Sequence, residues 1–378
     1  MKILVVSIVD IEKSAPQRPH HFIRYLAKTH DVTIICVNDN WKNVDSAKYH
    51  LNENAYFEGI KLIYFTEKII GPIYQELFIR FLLEKKELGS YEVIYNYNTL
   101  VSGKYIAKLL KIPMVYDIAD DLPEMLAASP QIPKPLRSLA KFAGIHLVKR
   151  NIKKSARVEA TSEVFKDIFS IETDKFSLIP NGVNTTLFCP MDASSELISR
   201  FSIKKHDFVL GYIGVLREWV DLTPIYTALT EISCLKLLVV GEEGGLDANK
   251  SLVREMGLSD RIIFAGAVPY EKIPQYLSVC DACLIPFRKN MISQNAIPLK
   301  LFEYMACDKP VISSHLDGVK SIAGDNIYYA DTSREYEEVI KYLIKNTENM
   351  KPMREFVIAN YDWNSLSKRL EHILESVK

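Results

Sequence analysis

Ile297-Pro298-Leu299-Lys300-Leu301-Phe302-Glu303-Tyr304-Met305-Ala306, followed by Cys307-Asp308-Lys309-Pro310-Val311-Ile312-Ser313-Ser314, is the stretch on which the reading of this chain turns. Pro298 suits the first position of a helix, where its missing N–H costs nothing and its φ is already helical. Lys300 falls in the first turn, among free backbone N–H groups at the positive end of the helix dipole, a ready site for phosphate. Glu303 lies three residues on and shares a face with Lys300. A carboxylate there is placed to accept hydrogen bonds from ribose hydroxyls. Asp308-Lys309-Pro310 stops the helix, and Val311-Ile312-Ser313 begins a buried strand. Taken alone, Lys300 and Glu303 also fit an ordinary amphipathic helix with two surface charges.

Outward from this stretch, strand and helix patterns alternate. Lys2–Val9 is a continuous apolar run, as expected of a parallel strand covered on both faces. Pro19 opens a helix with Phe22, Tyr25 and Leu26 on one face, and Asp31–Val37 is the next strand. Further strands read at 61–65, 93–97, 114–116, 158–161 and 176–179. Asn181-Gly182 signals a turn. The alternation restarts at Phe208–Ile213 and runs through 235–240, 261–264, 282–285, 311–313 and 327–329. A chain of 378 residues exceeds one core of usual size. The expectation is α/β throughout, two Rossmann-like doubly wound parallel-sheet domains over 1–186 and 187–360, with a terminal helix in 361–378 packing back on the first. Ligands in such sheets bind beyond the carboxyl ends of the strands, here in the cleft between the domains.

Composition narrows the function classes. Lys+Arg and Asp+Glu balance at 47 each, so no global field points to nucleic acid. The six cysteines are scattered, without a disulfide framework. Cys280 and Cys283 form a C-x-x-C, but Val279–Pro286 reads as a helix end running into a buried strand, without a second cysteine pair or histidine cluster nearby in sequence. The first residues lack the layout of a signal peptide, and no apolar run approaches the roughly 20 residues of a membrane span. A cytoplasmic protein is expected, with any membrane contact peripheral, on the inner face of the cell membrane.

The string Pro298-x-Lys300-x-x-Glu303-Tyr304-Met305-Ala306, then Lys309-Pro310-Val311, resembles the nucleotide-sugar signature of GT-B glycosyltransferases, most closely glycosyltransferase family four and its group 1 neighbours. Ile179-Pro180-Asn181-Gly182-Val183-Asn184 through Phe188 and Pro190 resembles their inter-domain link. Leu210–Gly214 resembles the first donor-domain strand, Leu238–Gly241 the second, and Phe264–Val268 the strand and turn that hold the base. Gln17-Arg18-Pro19-His20-His21 resembles the opening of their first helix. The resemblance implies a nucleotide diphosphate sugar as donor, Lys300 and the helix start at Pro298 and Leu299 on the phosphates, Glu303 on ribose, and backbone around Gly266 and Val268 on the base. It implies no metal and no further cofactor.

The chain departs from that pattern. Where many members carry Glu eight positions before Glu303, this chain has Asn295, which can hydrogen-bond sugar hydroxyls but carries no charge. Val215 and Val220 occupy two positions that are usually basic. Arg217 can substitute from a neighbouring position or stay a solvated loop residue; Arg288 and Lys289 are further candidates. On the acceptor side, Asp120 follows a buried strand at its carboxyl end, with Asp117 and Asp121 beside it. Clustered carboxylates raise one another's proton affinity, which suits a base near neutrality. Asp120 and Asp117 are therefore the catalytic candidates, while Asp121 reads as a helix cap. Ala119 stands where many retaining members have His. An Asp base favours inversion and the resemblance favours retention, so the stereochemistry stays open.

Residues 133–157 hold Lys134, Arg137, Lys141, Lys149, Arg150, Lys153, Lys154 and Arg157, and no acidic residue. The basic face of the first half does not continue into the second, which predicts two helices or a kink near Gly144. The segment reads as a surface for anionic lipid or a pyrophosphate-linked acceptor, against a solvated face on a packed helix. The apolar stretch 69–83, with Tyr74, Phe78 and Phe81, is either an acceptor surface or core. The function expected is a glycosyltransferase acting on a glycan or lipid-linked acceptor in polysaccharide or glycoconjugate biosynthesis. A sugar-nucleotide epimerase of the same fold and a non-catalytic nucleotide- or lipid-binding partner are the alternatives.

Overall fold

The computed structural model describes residues 1–40, 57, 59–79, 88–129, 132–241, 246–290, 292–346 and 352–378. Phe81 and Leu83 of the apolar stretch lie outside them. The chain divides into two compact units, Met1–Pro180 with Trp363–Lys378, and Asn181–Asp362.

The first unit runs β1 (Lys2–Ser7), α1 (Arg18–Leu26), β2 (Asp31–Cys36), β3 (Lys61–Tyr64), α2 (Pro72–Glu76), β4 (Val93–Tyr97), α3 (Ser102–Leu110), β5 (Met114–Ile118), α4 (Leu122–Ala128), α5 (Arg137–Lys154), β6 (Arg157–Ala160), α6 (Val164–Phe169) and β7 (Phe176–Leu178). The strands pair in parallel in the order β3-β2-β1-β4-β5-β6-β7. After Lys2, every residue of β1 is buried, because helices cover both faces of such a sheet.

The second unit runs α7 (Ser195–Arg200), β8 (Phe208–Ile213), α8 (Thr223–Glu231), β9 (Leu235–Val240), α9 (Leu246–Glu255), β10 (Ile262–Gly266), α10 (Ile273–Ser278), β11 (Ala282–Ile285), α11 (Leu299–Ala306), β12 (Val311–Ser313), α12 (Asp317–Ala323), β13 (Tyr328–Tyr329), α13 (Ser333–Lys345) and α14 (Arg354–Tyr361). Its parallel order is β10-β9-β8-β11-β12-β13. Residues 181–186, expected with the first domain, fold with this unit: Val183 N–H donates to the Tyr361 carbonyl (2.9 Å) and Thr185 Oγ1 to Asp362 (2.6 Å).

The last helix, α15 (Trp363–Ser376), returns to the first unit. Trp363 stacks on His21 with ring centroids 4.8 Å apart, Leu366, Leu370 and Leu374 are buried, and Glu371 pairs with His30 Nε2 at 2.8 Å. Cys280 and Cys283 are buried where α10 runs into β11, and Cys280 Sγ donates to the Tyr276 carbonyl.

At the carboxyl ends of β8, β9 and β10 stand Gly214 (φ +134), Gly241 (φ +152) and Gly266 (φ +77). Gly214 N–H donates to the Val240 carbonyl (2.7 Å) and Gly241 N–H to that of Gly266 (2.9 Å). A Cβ on Gly241 would lie 2.1 Å from the Gly214 carbonyl oxygen. Glycine is therefore required there for both space and backbone conformation. Gly241→Ala is expected to destabilise the second unit by about 2 kcal/mol or more, read by denaturant unfolding beside the parent; equal midpoints would refute this packing.

Candidate functional site

In the second unit, helix α11 is set by its ends. Pro298 is its N-cap, one position before the expected first turn, with φ −72 and ψ 141. Tyr304, buried, accepts the Ile213 N–H at 2.9 Å and locks the helix to the end of β8. Asp308, at φ +51, ends the helix and accepts from the N–H groups of Met353 and Arg354. Arg354 in turn donates to the carbonyl of Ala306 (2.8 Å), one of the orphan groups at the helix end.

This framework puts Lys300 Nζ 4.0 Å from the ring centroid of Tyr212 and 5.6 Å from that of Phe287. The ammonium is 2.6 Å from where a Cβ on Gly214 would be, so a side chain there would force the lysine tip to move. Among the described residues no carboxylate pairs with it, and the aromatic faces supply the attraction. Loss of hydration pushes the ammonium down to about 7, against the charge of Glu303. Glu303 is buried, and Tyr270 Oη donates to its Oε1 at 2.9 Å. Burial pushes the Glu303 carboxyl up to about 7, against the Tyr270 hydrogen bond and Lys300.

The other donor candidates surround this pair unequally. Gly266 has open space where its side chain would be. Arg217 is exposed, and its charge reaches Tyr212, whose ring carries Lys300. Asn295 is partly buried, its carbonyl 2.6 Å from where a Cβ on Gly318 would be. Arg288 and Lys289 are engaged elsewhere, with Asp221 (3.2 Å) and Asp331 (2.6 Å), around a separate cavity of about 300 Å³.

In the first unit the aspartates separate by depth. Asp117, on β5, is fully buried; its Oδ2 accepts from Arg18 Nε (2.7 Å) and Tyr95 Oη (2.5 Å). It pairs in register with Glu159 on β6, which is also fully buried, and burial followed by the Asp117 charge holds Glu159 well above the usual carboxylate range. One guanidinium thus serves two adjacent carboxylates, and Asp117 is a buried ion-pair partner rather than a group open to a substrate. Asp121 caps α4 by accepting from Glu124 N–H (3.1 Å). Asp120 alone stands exposed past the end of β5. Desolvation by the protein around it, then the charge of Asp117, push its carboxyl up to about 6, against Arg18.

The basic segment is not broken at Gly144. After a short 3₁₀ turn at Lys134–Leu136, α5 runs unbroken from Arg137 to Lys154. Gly144 faces α4, where a Cβ would lie 3.0 Å from Leu126 and 3.2 Å from Pro123, so the glycine permits close helix packing. Asn151, buried, donates to the carbonyls of Thr99 and Leu100, which fixes the other end of the same face. The outward stripe begins with Leu139 (62% exposed) and Phe142 (70%) and ends with Lys149, Arg150, Lys153 and Lys154. Lys141 is drawn out of the stripe by Glu124.

Sequence reasoning missed Tyr212, Tyr270 and the load on Arg18. Tyr212 and Tyr270 read as core aromatics, and pairing across |i−j| of 33 or 99 leaves no local signal.

Residues 194–363 match the family described as Glycosyl transferases group 1, the one the motifs resemble. The chain is 26% identical over 205 residues to the putative teichuronic acid biosynthesis glycosyltransferase TuaH of Bacillus subtilis, covering 52% of this chain and 50% of that protein. It is 21% identical over 257 residues to a D-inositol 3-phosphate glycosyltransferase of Acidothermus cellulolyticus, covering 64% and 56%. The chain thus matches about half the length of these relatives. Among solved structures, Anabaena Alr3699/HepE in complex with UDP and glucose superposes with TM-score 0.73 at 19% identity, covering all of both chains. Sucrose-phosphate synthase of Thermosynechococcus elongatus gives 0.75 at 15%, covering 100% and 99%. The fold is GT-B, as the resemblance implies.

Because the Tyr270 hydroxyl favours the ionised form of Glu303, Tyr270→Phe is expected to raise the Glu303 pKa further above about 7. Carboxyl ¹³C NMR titration reads this directly, and an unmoved midpoint would remove Tyr270 from the site.

Proposed function

We propose that the chain is a glycosyltransferase that moves a sugar from a nucleoside diphosphate sugar to a glycan or lipid-linked glycan in polysaccharide or glycoconjugate assembly. The observation that carries this reading is the Lys300 ammonium, without a carboxylate partner among the described residues, in the first turn of α11 and against Gly214. A half-buried cation beside free helix N–H groups suits an anion that gains charge as it leaves. Glu303 takes the ribose hydroxyls through the carboxylate oxygen that Tyr270 does not occupy, and backbone at Gly266 and Val268 takes the base. Arg217 adds a second charge near Tyr212, and Asn295 bonds sugar hydroxyls. The positive end of α11 and Lys300 balance the leaving diphosphate in this reading without a metal ion. Uridine diphosphate sugars are the first donors to test, given the UDP and glucose named with the Anabaena structure.

Asp120 serves the acceptor. Its raised proton affinity lets it take a hydroxyl proton near neutrality, and Asp117 acts on it by charge from below. The anomeric configuration of the product, read by ¹H NMR, decides between inversion and retention.

The α5 stripe supports peripheral attachment to an anionic membrane. Leu139 and Phe142 offer apolar area to the interface, and the four cations beyond them meet head groups. No helix among the described residues is long and apolar enough to cross a membrane.

Lys300→Ala should lower kcat by about 10²–10³ and Asp120→Asn by about 10²–10⁴, with folding intact and activity indifferent to EDTA. Tight nucleotide binding without turnover on a panel of donors and acceptors would favour a non-catalytic partner, and epimerised donor without acceptor an epimerase. Neutralising Lys149, Arg150, Lys153 and Lys154 together should abolish flotation with phosphatidylglycerol vesicles; equal flotation would sink the membrane reading.

A further inference from the structure

The chain passes from the first unit to the second at the Pro180–Asn181 peptide, and each side of that bond is held by a different part of the molecule. The Pro180 carbonyl accepts from Arg18 Nη1 at 2.9 Å, the same guanidinium that pairs with Asp117. The Asn181 side-chain amide donates to the Ile297 carbonyl at 2.9 Å. Ile297 is buried and directly precedes Pro298, the N-cap of α11. Pro298 has no N–H to donate, so the turn entering the helix depends on its neighbours.

We propose that Asn181 is a positioning residue for the donor grip, fixing the start of α11 and hence Lys300 through the Ile297 carbonyl. The inference rests on the reading of α11 as the diphosphate site, and it adds a residue that touches no substrate. The first turn of α11 carries the free N–H groups and Lys300, and its residues after Pro298 have no side-chain cap. An anchor one residue upstream therefore decides where those donors point, and displacement of about 1 Å in such a group costs about 10²-fold in rate. Arg18 holds the preceding carbonyl, so the anchor of the donor helix follows directly on a residue held by the Asp117 pair. The second crossing, Asp362–Trp363, is pinned by Thr185 and by His21 and supplies a control away from the cap of α11.

The test compares the full chain with Asn181→Ala, Asn181→Asp and the control Thr185→Val. Asp keeps the shape of Asn but cannot donate to a carbonyl. Hydrogen–deuterium exchange should be about tenfold faster over 297–301 in both Asn181 variants, with the remaining core amides of the second unit unchanged, and should match the parent there in Thr185→Val. Calorimetric titration with UDP should show affinity reduced about tenfold in both Asn181 variants. With UDP-glucose, kcat should fall about tenfold or more in both Asn181 variants and hold in Thr185→Val. Unchanged exchange over 297–301, or an Asn181→Asp variant that behaves as the parent, would overturn the proposal. If exchange responds as expected while UDP, GDP and ADP all fail to bind the parent, the positioning role stands and the diphosphate reading of α11 falls.

Discussion

The Lys300 ammonium occupies space that a side chain at position 214 would claim, and it brings the first turn of α11 against the end of β8. Glycine at 214 leaves the lysine tip in place, and the φ of +134 there is one that side-chain-bearing residues rarely adopt. Its carbonyl then presses against residue 241, which excludes a side chain there too. Tyr212 lays its ring under the cation, and Tyr304 ties α11 to the end of the same strand. A half-buried cation with no ion-pair partner among the described residues is costly where water is scarce, so it holds its proton weakly despite the charge of Glu303. That cost is tolerable in a site that receives an anion, since the anion restores the charge when it binds.

The first unit solves a different electrostatic problem. Asp117 and Glu159 lie side by side on neighbouring strands, buried, with Arg18 as the nearby cation. Breaking such a pair leaves an uncompensated buried charge, which is far more damaging than never having had it. The cluster therefore fixes the carboxyl edge of the sheet, and it raises the proton affinity of Asp120 above it through the charge of Asp117. Depth divides the roles: the buried aspartate organises, and the exposed one is free to meet a ligand.

The sequence made the alternation of strands and helices legible because fully buried parallel strands read as unbroken apolar runs, as Phe208–Ile213 and Leu235–Val240 do. Lys300 and Glu303 were legible because both sit on one short helix with a clear start and stop. Asp117 was harder: next to Asp120 in sequence, it looks like a member of one carboxylate cluster, and only its pairing with a residue 99 positions away shows it to be buried structure. The basic segment misled for a related reason. A glycine at 144 suggests a break, but here it serves packing against α4, and the charges that disturb the pattern, such as Lys141, are drawn aside by α4 residues. Tyr212 and Tyr270 carried no local mark, since an aromatic in a strand or before a helix reads as core.

The central claim is that Lys300, poorly hydrated and without an acidic partner among the described residues, is completed by the diphosphate of a donor. Proton uptake on binding uridine diphosphate, measured by calorimetry at about pH 8 in buffers of different ionisation enthalpy, tests it most directly. With its pKa pushed down to about 7, Lys300 is largely neutral there and must gain a proton as the anion binds. The account predicts uptake approaching one proton per nucleotide, lost in Lys300→Ala. Binding without uptake, or the same uptake in the variant, would contradict it.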